Sequence, residues 1–295
     1  MKIAYYRGEH PNFGDELNLW LWPKLLPDFF DDDGKVVFIG IGSTIGLKYD
    51  LSAKKIVFGA AYYPDYYDHK IIDCTDWDIY FVRGPHTAHL LNISPELAIG
   101  DSAILIRTLA DKWHRSSEVV SFIPHWESLG HGSWERVCAL ANINLIDPRR
   151  PVDDVLAELL RSRLVIAEAM HGAIVADALR IPWVPLLPIN GIHRNKWFDW
   201  TEALGIQLQQ HRLWPSNLTE MQIALERYPK LRGFARYAES IPTFGVTEQA
   251  IHHLSAYRLT KLAQTAPCLS DDRIIESATE KMLEKLAQLR RNYGA

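Results

Sequence analysis

Short apolar runs rich in β-branched residues recur along the first two thirds of the chain and alternate with segments of helical character. Most of these runs end at Gly, Pro or Asp, which favour turns. Strands that alternate with helices are typical of parallel sheets covered by helices on both faces. The sequence therefore predicts an α/β fold with eight strands, at Lys2–Tyr6, Val36–Ile39, Lys55–Phe58, Ile79–Val82, Val119–Ile123, Ile143–Leu145, Leu164–Ile166 and Trp183–Leu186.

A polar stretch at residues 111–118 separates the fourth and fifth predicted strands. The chain has 295 residues, which is enough for two domains with complete cores. A boundary inside this stretch predicts two similar α/β domains, at residues 1–113 and 114–215. Residues 216–295 are predicted to form a helical extension that packs on the body of the protein.

The last predicted helix has clear signals at both ends. Ser270 is predicted to cap its N-terminus, with Asp271 and Asp272 in the first turn. Apolar residues recur along it at helical spacing, at Ile275, Ala278, Met282, Leu286 and Leu289. Such a stripe predicts a helix packed on the protein rather than a membrane anchor. A peripheral membrane contact through its basic end, Arg290 and Arg291, stays open.

Charge and cysteine content narrow the classes of function. The net charge of −4 argues against bulk attraction to nucleic acid. No apolar run approaches the roughly 20 residues that span a bilayer, and the N-terminus lacks the apolar core of a signal peptide. The cysteines Cys74, Cys138 and Cys268 are scattered, without metal-ligand spacing. These features predict a cytoplasmic protein without a bound metal ion.

His171 and Gly172 stand where the apolar strand Leu164–Ile166 gives way to a helix of small residues. In an open parallel sheet, ligands bind at the carboxyl ends of strands. A helix that starts there points N–H groups and the positive end of its dipole at the ligand, which favours an anion. Gly172 allows a close approach of the backbone, and His171 can donate a proton near neutral pH. The alternative is that His171 only caps the helix.

Polar residues also follow the first predicted strands. Asn12, Asp15 and Asn18 come after the first strand and offer hydrogen bonds to a polyhydroxyl ligand, although Asp15 could instead cap the helix that starts there. The glycine-rich segment 40–46 follows the second strand. Because it lacks the GxGxxG spacing and does not follow the first strand, it predicts a tight turn facing a ligand rather than a dinucleotide loop.

Charged residues follow the later strands. Arg83 can offer a bidentate guanidinium to a phosphate or carboxylate, or it can pair with a neighbouring acid. Asp101 could cap a turn or orient Arg83 or a histidine. His125 ends the fifth strand, where a cleft between the two halves would open. Arg194 and Lys196 follow the last predicted strand and would add cations near the His171 helix.

Taken together, these motifs resemble those of the polysaccharide pyruvyltransferases. The resemblance is carried, in this order, by Asn12-Phe13-Gly14-Asp15, Val82-Arg83-Gly84-Pro85, Gly100-Asp101, Pro124-His125, Met170-His171-Gly172 and Arg194-Asn195-Lys196. Many members of the family have an arginine two residues before the histidine, where this chain has Ala169. Arg194 or Lys196 is our candidate for the missing cation.

The resemblance implies a GT-B-like fold of two Rossmann-like domains that face a cleft, with the acceptor on the N-terminal domain and the donor on the C-terminal domain. It implies phosphoenolpyruvate as co-substrate, no cofactor, and transfer of pyruvate to a sugar in an exopolysaccharide repeat unit. The acceptor would be the sugar of a lipid-linked oligosaccharide, with peripheral contact at the inner membrane face. The product would be a cyclic ketal, with release of phosphate.

The resemblance also assigns roles to residues. The donor would lie near His171, Arg83, Arg194 and Lys196, and His171 would be the general acid or a phosphate contact. Either His125 or Asp15 would deprotonate the sugar hydroxyl. Further substrate contacts are predicted at Asn12, Asn18, Asp101 and Gly172.

Two other functions remain open at the level of sequence. A GT-B glycosyltransferase would share the fold and would need an acidic residue for the ribose of its nucleotide sugar, for which Glu168 and Asp177 are the candidates. A non-catalytic carbohydrate-binding protein would not require the histidines and cations that cluster at strand ends.

Overall fold

The computed structural model describes residues 1–50, 52–67, 72–187, 194–226 and 245–294. A first sheet of four parallel strands has the spatial order β1-β2-β3-β4. Its strands are β1 (Lys2–Ala4), β2 (Val36–Ile39), β3 (Lys54–Phe58) and β4 (Asp78–Phe81). The spatial order follows the chain without a reversal.

A second sheet of five parallel strands has the order β6-β5-β7-β8-β9. Its strands are β5 (Val119–Ile123), β6 (Asn144–Leu145), β7 (Ser162–Ala167), β8 (Trp183–Leu187) and β9 (His211–Arg212). Because β6 pairs on one side of β5 and β7 pairs on the other, the strand order reverses at β5. Such a reversal opens a crevice at the carboxyl ends of the two central strands, where ligands of parallel sheets bind.

Helices connect these strands and join the two sheets. They are α1 (Phe13–Leu25), α2 (Pro85–Leu90), α3 (Trp126–His131), α4 (Trp134–Ala141), α5 (Val152–Leu160), α6 (Met170–Ala178), α7 (Arg194–Ala203), α8 (Leu218–Glu226), α9 (Gly245–Leu262) and α10 (Asp272–Tyr293). A 3-10 helix, Ser102–Lys112, packs with α1 against α6. These three helices share one hydrophobic core cluster with β3 and β7. The carboxyl ends of both sheets are therefore held by a common set of helices.

The predicted α/β class is confirmed, and all eight predicted strands are present with ends shifted by at most two residues. The sequence did not predict β9, because a strand of two residues, His211–Arg212, leaves no periodic pattern. The predicted domain boundaries at residues 113 and 215 stay a prediction.

The C-terminal helix α10 packs on the first sheet, as its apolar stripe predicts. Its buried side chains lie against the 3-10 helix and β4, and Asn292 donates a hydrogen bond to the hydroxyl of Tyr80. Among the described residues, no helix combines the length and the apolar character needed to cross a bilayer.

The predicted cap of α10 is wrong by one residue. Asp271 occupies the N-cap, and its side chain accepts a hydrogen bond from the N–H of Arg273. Ser270 instead donates its backbone N–H to buried Asp177 and accepts a hydrogen bond from Arg180. The Ser270 side chain is drawn away from the helix because buried Asp177 needs hydrogen-bond donors.

Candidate active site

A cavity of about 690 Å³ opens where strands of both sheets end. It lies at the carboxyl ends of β5 and β7 and faces the loops that follow β1, β2 and β3. Six of the predicted site residues line this cavity: Asn12, Asp15, His125, His171, Gly172 and Lys196. The glycine-rich turn after β2 also lines it, as predicted, through Gly42, Ser43, Thr44 and Gly46.

Two helices begin at this cavity without a side-chain cap. Asn12 is the N-cap of α1 and Ala169 is the N-cap of α6, and neither side chain accepts a hydrogen bond from its helix. The first N–H groups of a helix have no intrahelical acceptor, and the helix dipole adds a partial positive charge. At α1 the N–H groups of Phe13 and Asp15 already donate to the carbonyls of Pro148 and Asn12, so α6 is the N-terminus better suited to an anion, and α1 adds its dipole.

His171 lies in the first turn of α6, and its Nε2 faces Oδ2 of buried Asp101 at 3.5 Å. Asp101 also accepts a hydrogen bond from the N–H of Ala103 and so caps the 3-10 helix. Burial would raise the pKa of Asp101, but His171 and Arg83 together hold this pKa below its usual value. An ionised Asp101 thus orients the imidazole of His171, which is one of the roles the sequence left open.

Asp15 lies in the first turn of α1 and faces the same cavity. The alternative that Asp15 caps α1 does not hold, because Asn12 occupies the N-cap position and donates a hydrogen bond to Oδ2 of Asp15 at 2.8 Å. Burial raises the pKa of Asp15 above its usual value, against the opposing effects of Asn12, His171 and Lys196. At any given pH a larger fraction of the Asp15 carboxyl is therefore protonated than of an exposed aspartate.

Lys196 brings a cation into the cavity from the first turn of α7. Its Nζ lies 5.1 Å from the centre of the Tyr66 ring. Burial, and then the charge of Arg83, lower the pKa of Lys196 to about 7, although Asp15 and Glu127 oppose this change. The side-chain amine of Lys196 is therefore only partly protonated at neutral pH in the absence of an anion.

His125 forms the N-cap of α3 and lines the same cavity. Its backbone N–H donates to Glu168 at 2.8 Å, and the hydroxyl of Ser128 donates to the other oxygen of Glu168 at 2.9 Å. Burial, and then the charge of Lys196, lower the pKa of His125 to about 3. The imidazole of His125 is therefore neutral at physiological pH. It can accept a hydrogen bond but is poorly suited to donate a proton as a general acid.

Arg83 lies behind the cavity wall, with 1% of its surface exposed. Its guanidinium is 3.5 Å from Asp199 and 4.0 Å from Asp101, so it pairs with neighbouring acids, the second of the two predicted alternatives. Asp199 also accepts hydrogen bonds from the N–H and the hydroxyl of Thr87, which ties α7 to α2. Arg83 and Lys196 both border a second cavity of about 240 Å³.

Asn18 is buried beneath the cavity and binds only protein groups with both ends of its amide. Oδ1 accepts from the N–H of Ile41 and from the indole of Trp22, while Nδ2 donates to the carbonyls of Ile41 and Asp15. These bonds tie α1 to the turn after β2. In this structure Asn18 therefore holds the helix of Asp15 in place and does not line the cavity.

Gly172 and Arg194 complete the predicted set. A Cβ atom on Gly172 would lie 2.7 Å from the side chain of Ile123, so glycine lets α6 approach β5 closely. Arg194 begins α7, and its side chain lies outside the described part of the structure.

The profile of the polysaccharide pyruvyl transferase family matches residues 10–188, which is more than half of the chain. The chain belongs to this family. One relative, the succinoglycan biosynthesis protein ExoV of Rhizobium meliloti (strain 1021), is 33% identical, and the alignment covers 99% of this chain and 100% of the relative. No solved structure matches the chain. The matched region includes the cavity residues from Asn12 to Gly172, whereas Lys196 follows it.

Membership of a pyruvyl transferase family gives the contact between Gly14 and His171 a testable consequence. A Cβ atom on Gly14 would lie 2.0 Å from Nδ1 of His171, so the Gly14→Ala change must displace the imidazole. We expect transferase turnover to fall about a hundredfold, as is typical when a reacting group moves by about 1 Å. Steady-state kinetics of Gly14→Ala beside Gly34→Ala, whose Cβ would meet open space, tests this. Equal loss in both variants would contradict a specific role for the contact.

Aromatic residues that the sequence motifs did not identify form part of the site. Tyr6, Tyr66, Tyr67 and Trp126 line the cavity. Tyr66 and Tyr67 follow β3, and the rule that ligands bind at strand carboxyl ends would have identified this segment. Aromatic faces of this kind suit the apolar faces of sugar rings.

Glu168 and Asp177, the two candidates for binding the ribose of a nucleotide sugar, both form hydrogen bonds within the protein. Glu168 holds the turn that carries His125. Asp177 accepts hydrogen bonds from the indole of Trp183 and from Ser270. Within the described residues, no group of three or more His, Cys, Asp or Glu side chains is placed to hold a metal ion.

Proposed function

We propose that this family member transfers pyruvate from phosphoenolpyruvate to two hydroxyls of a sugar in an exopolysaccharide repeat unit, forming a cyclic ketal and releasing phosphate. The observation that carries the proposal is the convergence of two uncapped helix N-termini and Lys196 on one cavity beside His171. Phosphoenolpyruvate carries a phosphate and a carboxylate. The N-terminus of α6, the dipole of α1 and the ammonium group of Lys196 can together hold both anions.

Of the two candidates, Arg194 and Lys196, we assign Lys196 the role of the cation that Ala169 does not supply. In this chain the arginine that many family members carry two residues before the histidine is absent, and Lys196 lines the same cavity as Ala169. A bound phosphate would favour the ammonium form of Lys196, because an adjacent negative charge raises the pKa of a lysine. Binding of the donor and protonation of Lys196 are therefore coupled.

The proposed reaction starts with protonation of the C3 methylene of phosphoenolpyruvate by a general acid, which leaves an oxocarbenium-like centre at C2. One sugar hydroxyl attacks C2 and passes its proton to a base. The bond between C2 and the phosphate oxygen then breaks, and phosphate leaves with the bonding electron pair. The second hydroxyl attacks the oxocarbenium-like centre that re-forms at C2 and gives its proton to the departing phosphate, which closes the ketal. One phosphate leaves for each ketal formed.

His171 is our candidate for the acid, because Asp101 and Gly14 fix its ring at the anion-binding helix. Asp15 suits the base better than His125 does. A base is most effective when its pKa lies near the working pH; the pKa of Asp15 is raised, whereas that of His125 is lowered to about 3. We assign His125 to accepting a hydrogen bond from the sugar.

We assign the acceptor to the side of the cavity lined by Tyr66, Tyr67 and Trp126. The relative in succinoglycan biosynthesis supports an exopolysaccharide sugar, and a lipid-linked oligosaccharide is the form in which we propose it is presented. Two Rossmann-like domains in a GT-B-like arrangement, acting in the cytoplasm, stay part of this proposal. A nucleotide-sugar transferase is disfavoured because Glu168 and Asp177 are already hydrogen-bonded within the protein.

Thermal shift measurements with phosphoenolpyruvate and with nucleotide sugars test the donor. We expect phosphoenolpyruvate at about a hundred times its Kd to stabilise the protein by about 2.7 kcal/mol, which raises the Tm by several degrees. Phosphate release is then measured with p-nitrophenyl glycosides of glucose, galactose and mannose as acceptor probes. Stabilisation by nucleotide sugars alone would instead support a glycosyltransferase, and stabilisation by neutral sugars alone would support a binding protein.

A further inference from the structure

Large apolar side chains are exposed together on the second sheet's side of the molecule, on α9 and beside it. Leu254 and Tyr257 of α9 are 56% and 57% exposed, and Trp214, which follows β9, is 41% exposed. Leu254 and Tyr257 are three residues apart and therefore share one face of the helix. The hydroxyl of Ser255 lies 3.4 Å from the carbonyl of Trp214, which brings the loop against this part of α9. We call Trp214, Leu254 and Tyr257 the α9 surface.

Basic side chains cover the rings of this surface. Arg258 lies 5.9 Å from the centre of the Trp214 ring, and Lys261 lies 5.5 Å from the centre of the Tyr257 ring. The sequence has no Asp or Glu from residue 249 to residue 270, although the whole chain carries a net charge of −4. The α9 surface is therefore a positive, aromatic patch on a protein that is negative overall.

Trp214, at one end of the α9 surface, lies at the same edge of the second sheet as the active-site cavity. The strands of this sheet are parallel, so all of their carboxyl ends lie at one edge. His125 and His171 follow the carboxyl ends of β5 and β7, and Trp214 follows the carboxyl end of β9. Only β8 lies between β7 and β9.

We propose that the α9 surface binds the face of an anionic lipid bilayer and so holds the cavity next to the membrane. Tryptophan and tyrosine prefer the headgroup region of a bilayer, and lysine and arginine are attracted to anionic lipids. An amphipathic helix with an apolar and basic outer face binds such an interface without spanning it. A negatively charged protein partner would also meet the cations, but exposed Leu, Tyr and Trp beside them favour the lipid interface.

The basic end of α10, which the sequence left open as a membrane contact, lacks this combination. The apolar stripe of α10 is buried against the first sheet, and Arg290 donates a hydrogen bond to the carbonyl of Leu25. The exposed apolar residues of α10, Ile274 and Leu283, neighbour acidic residues in the sequence, at Glu276, Glu280 and Glu284. The α9 surface combines exposed apolar groups with cations and has no acidic residue on its stretch of chain from residue 249 to residue 270, so the proposal is placed on α9.

Vesicle flotation with the full chain tests the proposal without any donor or acceptor, so its result is independent of the proposed reaction. We expect binding to vesicles that contain phosphatidylglycerol and little binding to vesicles of phosphatidylcholine alone. Replacing both cations, in Arg258→Gln with Lys261→Gln, should weaken binding roughly 30-fold, since each cation contributes about fivefold. The Leu254→Ser with Tyr257→Ser variant should also lose binding.

A matched control uses exposed apolar residues on a different surface. Ile274 and Leu283 of α10 are 41% and 40% exposed, and Ile274→Ser with Leu283→Ser should leave vesicle binding unchanged. Each variant is checked by its Tm and by its release of phosphate with a soluble acceptor probe. The proposal is overturned if the wild-type protein does not bind anionic vesicles. It is overturned equally if the α9 variants and the α10 variant bind these vesicles with the same affinity. It is also overturned if size-exclusion chromatography shows that the α9 surface joins two copies of the chain.

Discussion

His171→Ala is expected to lower turnover of phosphoenolpyruvate about a thousandfold, with only a small change in thermal stability. Loss of a general acid typically costs between a hundredfold and ten-thousandfold in rate. The side chain is held against Gly14 and faces Asp101 at 3.5 Å, at the helix N-terminus that we assign to the donor. The measurement is kcat from phosphate release, beside the Tm of both proteins.

His89→Ala is a matched control, because His89 is an exposed histidine on α2 and does not line the cavity. It should retain wild-type turnover. If His171→Ala releases phosphate at a near-normal rate while it keeps its fold, His171 is not the acid, and the mechanism must be reassigned to Asp15 or Lys196.

Lys196→Met is expected to raise the KM for phosphoenolpyruvate roughly 10- to 100-fold, because a hydrogen bond to a charged group contributes about 1.5–3 kcal/mol. In the wild-type protein, donor affinity should fall as the pH rises above about 7, since the pKa of Lys196 lies near this value and only the ammonium form attracts the anion. The variant should lose this pH dependence. The measurement is KM from pH 6 to pH 9, with Lys281→Met on the exposed face of α10 as the control.

Although Lys196→Met should weaken donor binding, the same change should raise the thermal stability of the unliganded protein at low pH. The pKa of Lys196 is about 7 in the folded protein and 10.5 for an ordinary lysine, so folding disfavours the charged form. This cost is fully present below pH 7 and disappears as the pH rises towards 10.5. Without ligand, Lys196→Met should therefore unfold at a higher Tm than the wild type below pH 7. A variant with both a lower Tm and a higher KM would indicate a disturbed fold rather than a lost phosphate contact.

The strands and the edge that carries the site could be predicted because both depend on local patterns. Apolar runs set the strands, and the polar residues that follow a parallel strand must lie at its carboxyl end. His125 and His171 therefore lie where the sequence places them. The same rule, applied after β3, would have added Tyr66 and Tyr67.

Individual roles could not be predicted in the same way. Three polar residues follow one another at intervals of three at the start of α1, namely Asn12, Asp15 and Asn18. Asp15 faces the cavity, whereas the amide of Asn18 is fully hydrogen-bonded to Ile41, Trp22 and Asp15. Similarly, Ser270 has the sequence features of a helix cap but bonds buried Asp177 instead. In both cases a partner distant in the sequence decides the outcome.

The sequence by itself determined the α/β class, the eight strands and the order in which polar motifs meet the strand ends, because these follow from local periodicity and the direction of parallel strands. Only the tertiary structure decided which polar groups face the cavity and how their pKa values change. Lys196 loses its solvent because of the surrounding fold, and the charges that act on it belong to Arg83, Asp15 and Glu127. Desolvation and Coulomb interactions depend on distance in space, and distance along the chain does not encode them.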